Sequence, residues 1–428
     1  MDELLDPEFL ASLGADVDIQ VVQAHFSING PAPDSDDIKA DLAAVSEAAV
    51  PLMAARGEAA HEEVHAPDGR TLPLDGLTIE ALQQLAADSR FTDETTTEQA
   101  CQHILKADGM PAGWTDLVSP VPGTPYSSHR FRNDTTGAVQ DDPPPGTRSI
   151  VEVLRESNPA AVGKSNRFIS HYWQMPFRAV VRAAARRVEQ ERAAGVTEEI
   201  YLWFDVISID EHHAQAYAKG FSSTFMDAIC EIGHVYLMAE PWCSPRVLTR
   251  SWCLWELYCC HVMGAKLSIC LDCNDEALFL EALRTEGSQA MNKMLTEVDC
   301  SKAEATRKVD TEKIGAEIEK RVGFIKLDGI VLEQLREWLA QTAAQALEGM
   351  TPSERTGSKL LRDLGALYYS QGKLKEATPL LVEALDASRA TLGDRHPNTL
   401  GSINNLGSLY KAQGKLKQAE LLFVEARL

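Results

Sequence analysis

No run of apolar residues in the 428-residue chain approaches the length of roughly 18 that a membrane span requires. Positive charge is also scarce. Lys and Arg total 41 against 63 Asp and Glu, a formal net charge of -22. Nucleic acids and membrane surfaces are themselves anionic, so neither is an expected partner. The start, "MDELLDPEFLASLG", lacks the basic residues and apolar run of a signal peptide, and the expected location is cytoplasmic. Nine cysteines are present without the spacing of a disulfide framework, and Cys230, Cys253, Cys259, Cys260 and Cys270 lie in apolar segments. Reduced core thiols are the expectation.

Several chemistries are missing their full motif. "AAVGKSNRF" (160–168) has the GKS of a phosphate loop, but no upstream glycine and no preceding strand. His212 and His213 are adjacent, which suits a solvated loop better than two ligands of one zinc ion. "CLDC" places Cys270 and Cys273 at a strand end without the second pair a zinc ribbon needs. No metal site and no required cofactor are expected. Spacing alone identifies no Ser/His/Asp triad.

With 44% hydrophobic and 24% charged residues, the chain is globular, and its length fits two to four compact units. Residues 1–92 read as an acidic, helical N-terminal region, with "DDIKADLAAVSEAAVPLMAARGEAAHEE" and "TIEALQQLAADS" as its pieces. Residues 93–160 are crowded with Pro, Gly, Ser and Thr and read as a loop-rich linker or wrap. From 161 to 290 the pattern changes. "RFIS", "IYLWFDVISID", "HVYLMAEPW" and "KLSICLD" are strand-like, and helical stretches of ten or more residues separate them. Alternation of this kind predicts a parallel sheet covered on both faces. Five of the seven tryptophans (173, 203, 242, 252 and 255) fall here, so the core is substantial. Residues 291–350 read as a helical connector.

A repeat occupies 356–428. "DLGALYYSQGKLKEATPLLVEAL" (363–385) aligns with "NLGSLYKAQGKLKQAELLFVEAR" (405–427) at an offset of 42 residues. Leu364/Leu406, Gly365/Gly407, Tyr368/Tyr410, Gly372/Gly414, Leu374/Leu416 and Ala377/Ala419 recur, which is the signature of an α-solenoid. These units resemble tetratricopeptide repeats of the kinesin-light-chain type, here two units with the second truncated. The resemblance implies a surface for a protein or peptide, with Tyr368, Tyr369, Asn404, Asn405, Tyr410 and Lys411 as candidate contacts. A solenoid needs about three units, so the helices before 349 cap the pair or the array is longer.

The central elements carry a second resemblance. "RFISH", then "VYLMAEPWCSPRVLTRSWCLWELYCC" and "KLSICLD", resemble in order the TIR (Toll/interleukin-1 receptor) domain, nearest to the plant type through "SWCLWEL". The loops "HYWQMPF" and "ISIDEHHAQAYAKG" depart from the family pattern. The expected fold is therefore α/β plus all-α: a flavodoxin-like parallel sheet, a helical N-terminal region and a C-terminal tetratricopeptide solenoid. The resemblance implies self-association of this domain and a signalling or scaffold role.

One residue admits another reading. Glu256 is the only formally charged residue between Arg250 and Lys266. In catalytic TIR domains the matching glutamate cleaves the nicotinamide–ribose bond of NAD. Nicotinamide leaves as a neutral base, so one carboxylate beside the oxocarbenium-like centre would suffice. At 100° per residue Glu256 shares a helix face with Trp252, Cys260 and Met263. His171, Trp173, Asp205 and Trp252 are the accompanying candidates for NAD as a substrate. Against this stands a structural ion pair, with Arg167, Arg178 or Arg246 as the partner. The alternatives are thus a signalling scaffold, an NAD+ glycohydrolase regulated by assembly through the repeats, and a repeat scaffold whose α/β domain is a remnant.

Overall fold

The computed structural model describes residues 72–120, 127–212 and 221–427. The described chain divides into two compact units, one of residues 72–276 with 297–332 and one of 277–296 with 333–427.

The larger unit is built on a six-stranded sheet in the order β5-β1-β7-β6-β8-β9. These strands are β1 (Asp75–Thr78), β5 (Val162–Lys164), β6 (Arg167–Ser170), β7 (Tyr201–Trp203), β8 (His234–Met238) and β9 (Lys266–Cys270). β7, β6, β8 and β9 run parallel, whereas β1 joins β7 and β5 joins β1 antiparallel. All four strands read from the sequence are present in this parallel set. Every residue of β6 and β8 is buried, as parallel strands covered on both faces must be.

Alternation along the strands sends Phe168 and Ile169 to opposite faces. On the Ile169 side, helices α1 (Ile79–Ala86), α2 (Ile150–Ser157) and α3 (Phe177–Ala193) complete the main core with Leu77, Leu202, Tyr236, Met238 and Cys270. On the Phe168 side, Phe168 stacks on Trp203 at 4.6 Å. Phe225 of α4 (Phe221–Ile232) meets both rings edge-on. Helix α5 (Ser251–Val262) packs on α4 and buries nine of its residues, Ser251 and Cys253 through Cys260. It has no solvent face, which its composition had promised.

Two boundaries differ from the sequence reading. Residues 93–160 are not a linker. They contain an antiparallel sheet of β2 (Trp114–Pro120), β3 (Ser127–Asn133) and β4 (Val139–Gln140), followed by α2. Most described residues of these strands are partly or fully exposed, so no apolar alternation marks them, and Phe131 is the buried exception. Polar contacts hold the sheet instead, including His129 Nδ1 to Asp116 Oδ2 at 2.7 Å. Likewise, the described end of the N-terminal region is part of the large sheet: β1 supplies a strand and α1 a covering helix, capped by Thr78. The longer predicted helical stretch, 36–63, lies outside the described residues. "AAVGKSNRF" enters the sheet edge as β5, where Lys164 pairs with Glu231 at 2.6 Å.

The division between the units falls within two helices, α6 (Cys273–Glu286) and α9 (Phe324–Glu348); α7 (Ser288–Leu295) and α8 (Lys308–Arg321) lie between them. In the smaller unit Phe279 stacks on Trp338 at 5.1 Å, and Asp363 accepts from the Ser288 N–H at 2.7 Å, capping α7. Two helical hairpins follow: α10 (Lys359–Ser370) with α11 (Leu374–Leu392), and α12 (Pro397–Ala412) with α13 (Leu416–Arg427). Their common core is Ala377, Leu381, Leu385, Ile403, Leu406 and Leu409.

The 42-residue offset is a structural equivalence. A Cβ on Gly365 would lie 2.7 Å from Leu381, and one on Gly407 would lie 2.8 Å from Phe423. At both positions a larger residue would have to displace the facing side chain, so glycine suits the close contact of the two helices of a hairpin. Lys373 lies over the ring of Tyr368 and Lys415 over Tyr410, again one offset apart.

Candidate functional site

The parallel strands, counted along the chain, lie in the order 2-1-3-4. Connections leave β6 toward β7 on one side and return to β8 on the other. The crevice beyond the carboxyl end of β6 is therefore the switch point at which open α/β sheets bind ligands. Four of the residues singled out in the sequence, His171, Trp173, Asp205 and Glu256, meet there.

β6 ends at Ser170, and His171, Tyr172 and Trp173 follow. The segment before α3 is fixed by backbone hydrogen bonds: Glu98 N–H to Trp173 O, Thr97 N–H to Met175 O and Phe177 N–H to Thr95 O, all at 2.8 Å. Residues read as the beginning of a linker thus wall the site. β7 ends at Trp203, and Asp205 opens a short helical turn. Its carboxylate accepts the Val206 N–H at 2.8 Å and the Trp173 indole N–H at 3.2 Å. Asp205 Oδ1 is 3.8 Å from His171 Nδ1, and the His171 ring stands edge-on to Phe204 at 4.8 Å.

Glu256 reaches the same place from α5. The helix is tied down by Cys253 Sγ donating to His171 O at 3.1 Å, and by Ser251 Oγ donating to Ala303 O at 3.0 Å. Glu256 is only 8% exposed, and among the described residues no cation pairs with it. The expected ion pair is corrected as follows. Arg167 is taken by Glu191 at 2.7 Å and Glu198 at 3.1 Å. Arg178 donates to Ala86 O at 2.9 Å and pairs with Asp93. Arg246 lies in the turn Arg246–Thr249 that precedes α5 and forms no ion pair with Glu256. The reason lies in the topology, which puts Arg167 at the amino end of β6 and Glu256 near its carboxyl end.

Burial pushes the Glu256 carboxyl up to about 8; the nearby Ser170 hydroxyl opposes this, and the charge of Asp205 adds to it. At neutral pH Glu256 is mostly a neutral acid. Burial lowers His171, with Asp205 opposing, so its imidazole is neutral as well. Glu256 Oε2, His171 Nε2 and Ser170 Oγ are all buried without a hydrogen-bond partner. Three unsatisfied polar atoms in one crevice are costly, and such groups cluster where a ligand completes them. Asp205 flanks the site, and the charges of Arg250 and Arg246 are felt by its wall residues Glu98, Cys253 and Tyr172.

Trp252 goes elsewhere. Its ring packs on Phe225 at 5.5 Å, on the Phe168–Trp203 side of the sheet, so sharing a helix face with Glu256 did not bring it into the crevice. Three residues that the sequence reading missed, Glu98, Ser170 and Cys253, belong to the site or its wall. The signal for Ser170 was its place as the last residue of a buried strand. Nothing in the sequence marked Glu98, which Gln174 contacts at 3.3 Å. Glu211, also unmarked, is pushed up by burial and by Asp205. His212 Nε2–H donates to Lys106 O at 3.0 Å and the ring stands edge-on to Phe131, while His213 lies outside the described residues. Cys270 is buried and Cys273 exposed, and neither is in a disulfide. Among the described residues no group of three or more His, Cys, Asp or Glu is arranged to hold a metal ion.

In the repeats, Tyr368 and Tyr410 pack against the core at equivalent positions, each under its lysine, which makes them structural before they are contacts. Asn404 and Asn405 are half-buried; Tyr369 and Lys411 are exposed.

Residues 357–427 match the tetratricopeptide repeat family. A second comparison is shorter. A nucleotide-binding leucine-rich repeat (NLR)-like protein of Hyaloscypha variabilis is 39% identical over 52 residues, 12% of this chain and 5% of that protein. The chain thus matches only a small fraction of that relative's length. No described helix is long and apolar enough to cross a membrane.

Proposed function

We propose that the chain is a signalling scaffold in which a tetratricopeptide pair binds a protein or peptide partner and the α/β unit carries or relays the signal. The observation that carries this is the pair of structurally equivalent hairpins at 357–427, since tetratricopeptide repeats imply protein partners. The NLR-like relative supports the signalling half of the reading. The parallel-strand order 2-1-3-4 agrees with a flavodoxin-like sheet of the TIR kind, extended by β1 and β5. In this reading the protein works in the cytoplasm, and its α/β unit self-associates. The test is a panel of fluorescent peptides titrated against the full chain. Binding weakened about tenfold by Tyr369→Ala with Lys411→Ala supports the reading. A panel with no saturable binder overturns it.

A second reading is favoured by one specific observation: Glu256 is buried without a cation, beside Ser170 and Asp205. In this reading the unit is an NAD+ glycohydrolase, and the cationic nicotinamide ring is the charge that ionises Glu256. The carboxylate then stabilises the developing positive ribose centre while neutral nicotinamide departs. Water adds to the ribose carbon and loses its proton. Asp205 holds the Trp173 indole, and Trp173 with His171 lines the ring's approach. Incubating the assembled protein with NAD and assaying nicotinamide tests this, with Glu256→Ala as control. Absence of release under every assembly condition overturns it.

A further inference from the structure

The unsatisfied atoms of the crevice are sealed from solvent. Ser170 is 1% exposed and His171 7%, so a ligand meets them and Glu256 Oε2 only after a wall has moved. Most walls are apolar core. Phe204, Val206 and Ile207 form the turn after β7, Met175 and Phe177 anchor the entry to α3, and α5 has no solvent face. Moving any of these exposes apolar surface to water.

One wall is different. Residues 92–99, "TDETTTEQ", hold no apolar side chain, although Phe91 before them and Ala100 and Cys101 after them are core residues. Polar bonds alone tie this strap to the chain leaving β6. Thr97 donates to Met175 O from its N–H at 2.8 Å and from Oγ1 at 2.9 Å. Glu98 N–H donates to Trp173 O, and Phe177 N–H to Thr95 O, both at 2.8 Å. Gln174 Nε2 reaches Glu98 Oε2 at 3.3 Å. Water can replace each of these bonds, so their release costs less than opening the core. The strap also carries its own shape. Thr92 N–H donates to Thr95 Oγ1 at 2.8 Å, and Thr96 and Gln99 exchange bonds at 3.0 and 3.2 Å. Beyond it lies a π-helical turn, Cys101–Leu105, a geometry that recurs at functional sites.

We propose that residues 92–99 are a latch on the crevice. The strap lifts as a unit between Phe91 and the Cys101–Leu105 turn and frees the backbone of Trp173, while the sheet stays folded. Tyr172 and Trp173, partly buried where Met175 and Phe177 are fully so, are the part of the loop that follows it. The inference rests on the crevice of the second reading but concerns entry to it, whatever the ligand.

Hydrogen exchange of the folded full chain, repeated in low urea and read by mass spectrometry, tests the latch. The Thr97 and Glu98 amides should exchange about a hundredfold or more faster than those of β6 and β8. Urea should hardly affect them, because local opening exposes little surface. Thr97→Val removes the hydroxyl's bond and keeps the shape, and should speed the strap amides about fivefold without moving β6. A lock should do the reverse. Thr96 and Pro176 are antiparallel bridge partners, whose Cα spacing suits a disulfide. Thr96→Cys with Pro176→Cys, closed by oxidised glutathione, should slow the strap to the β6 rate. Strap amides that share the rate and urea dependence of β6 in the wild type overturn the latch, as does a lock without effect. None of these measurements involves NAD. Opening without nicotinamide release supports the latch and removes the glycohydrolase reading, whereas equal release from locked and reduced protein overturns the latch alone.

Discussion

Replacing Glu256 by glutamine should stabilise the α/β unit, and by an amount that grows with pH. The folded unit keeps the Glu256 proton until about pH 8, whereas an exposed glutamate releases it near 4.5. Stability from this group is full below the unfolded value and falls as pH rises between the two. The gap is worth roughly 5 kcal/mol when complete and about 3 kcal/mol at pH 7. Glutamine keeps the shape and the neutral, unsatisfied character of the protonated acid but has no proton to lose. Wild type and Glu256→Gln should therefore unfold in urea at nearly the same midpoint at pH 4.5. At pH 8 the variant should be the more stable by several kcal/mol. Tryptophan fluorescence reports the transition, because Trp173, Trp203, Trp242, Trp252 and Trp255 all lie in this unit. A variant equally or less stable at pH 8 would mean that a cation or water satisfies the carboxylate, and the crevice argument would fail. The predicted gain also bears on function, since a group that costs stability in its own fold is the kind retained for activity.

Other substitutions test other parts. Glu191 is 3% exposed and takes Arg167, Arg187 and His234 around it, so Glu191→Ala strands a buried arginine. Urea unfolding should show a loss of about 3–5 kcal/mol. Although burial pushes Glu191 up, hydrogen bonds from Arg167 and the charges of Arg167 and Arg187 hold it below its ordinary value. Its contribution is present above the unfolded value near 4.5 and should fade as pH drops below it, visible as acid lability that Glu191→Ala lacks. Gly407→Ala puts a methyl group 2.8 Å from Phe423 and should lower the unfolding midpoint of the repeats by the equivalent of about 1–3 kcal/mol. Gln413→Ala removes two hydrogen bonds between the hairpins and should cost about 1 kcal/mol by the same measurement, without loss of helix in circular dichroism.

The parallel strands were legible because burial on both faces leaves no room for polar residues: β6 and β8 read as unbroken apolar runs. The repeats were legible because a side chain faces Gly365 and Gly407 so closely that a larger residue would have to displace it, and the same letters recur at one spacing. The β2–β3–β4 sheet was not legible. Its strands bury little, its register rests on ladder bonds and polar pairs, and its hairpin turn begins at Asn133, whose side chain accepts from the N–H groups of Thr135 and Thr136. Composition there reports turns and says nothing of what lies between them. Strands β1 and β5 were missed for another reason. They are four and three residues long and join the sheet from a distance in sequence that no local pattern encodes.

The candidate site follows the same division. A charge in a helix buried on every side conflicts with its surroundings whatever the fold, so Glu256 could be singled out from composition alone. Which neighbour resolves the conflict is a matter of topology. Three arginines looked suitable in sequence. Arg167 lies four residues before His171, yet those four residues are β6, and a strand of that length separates its ends by roughly 10–13 Å. The arginine therefore faces Glu191 at one end while the carboxyl lies by Ser170 and Asp205 at the other. Trp252 shows the converse, since one helical turn from Glu256 it lies against Phe225. Periodicity gives neighbours along a helix, whereas the crevice is made by the ends of two strands and one helix. Assigning Glu256 to the crevice required the strand order 2-1-3-4, because that order opens a gap beyond β6 into which an unpaired acid can point.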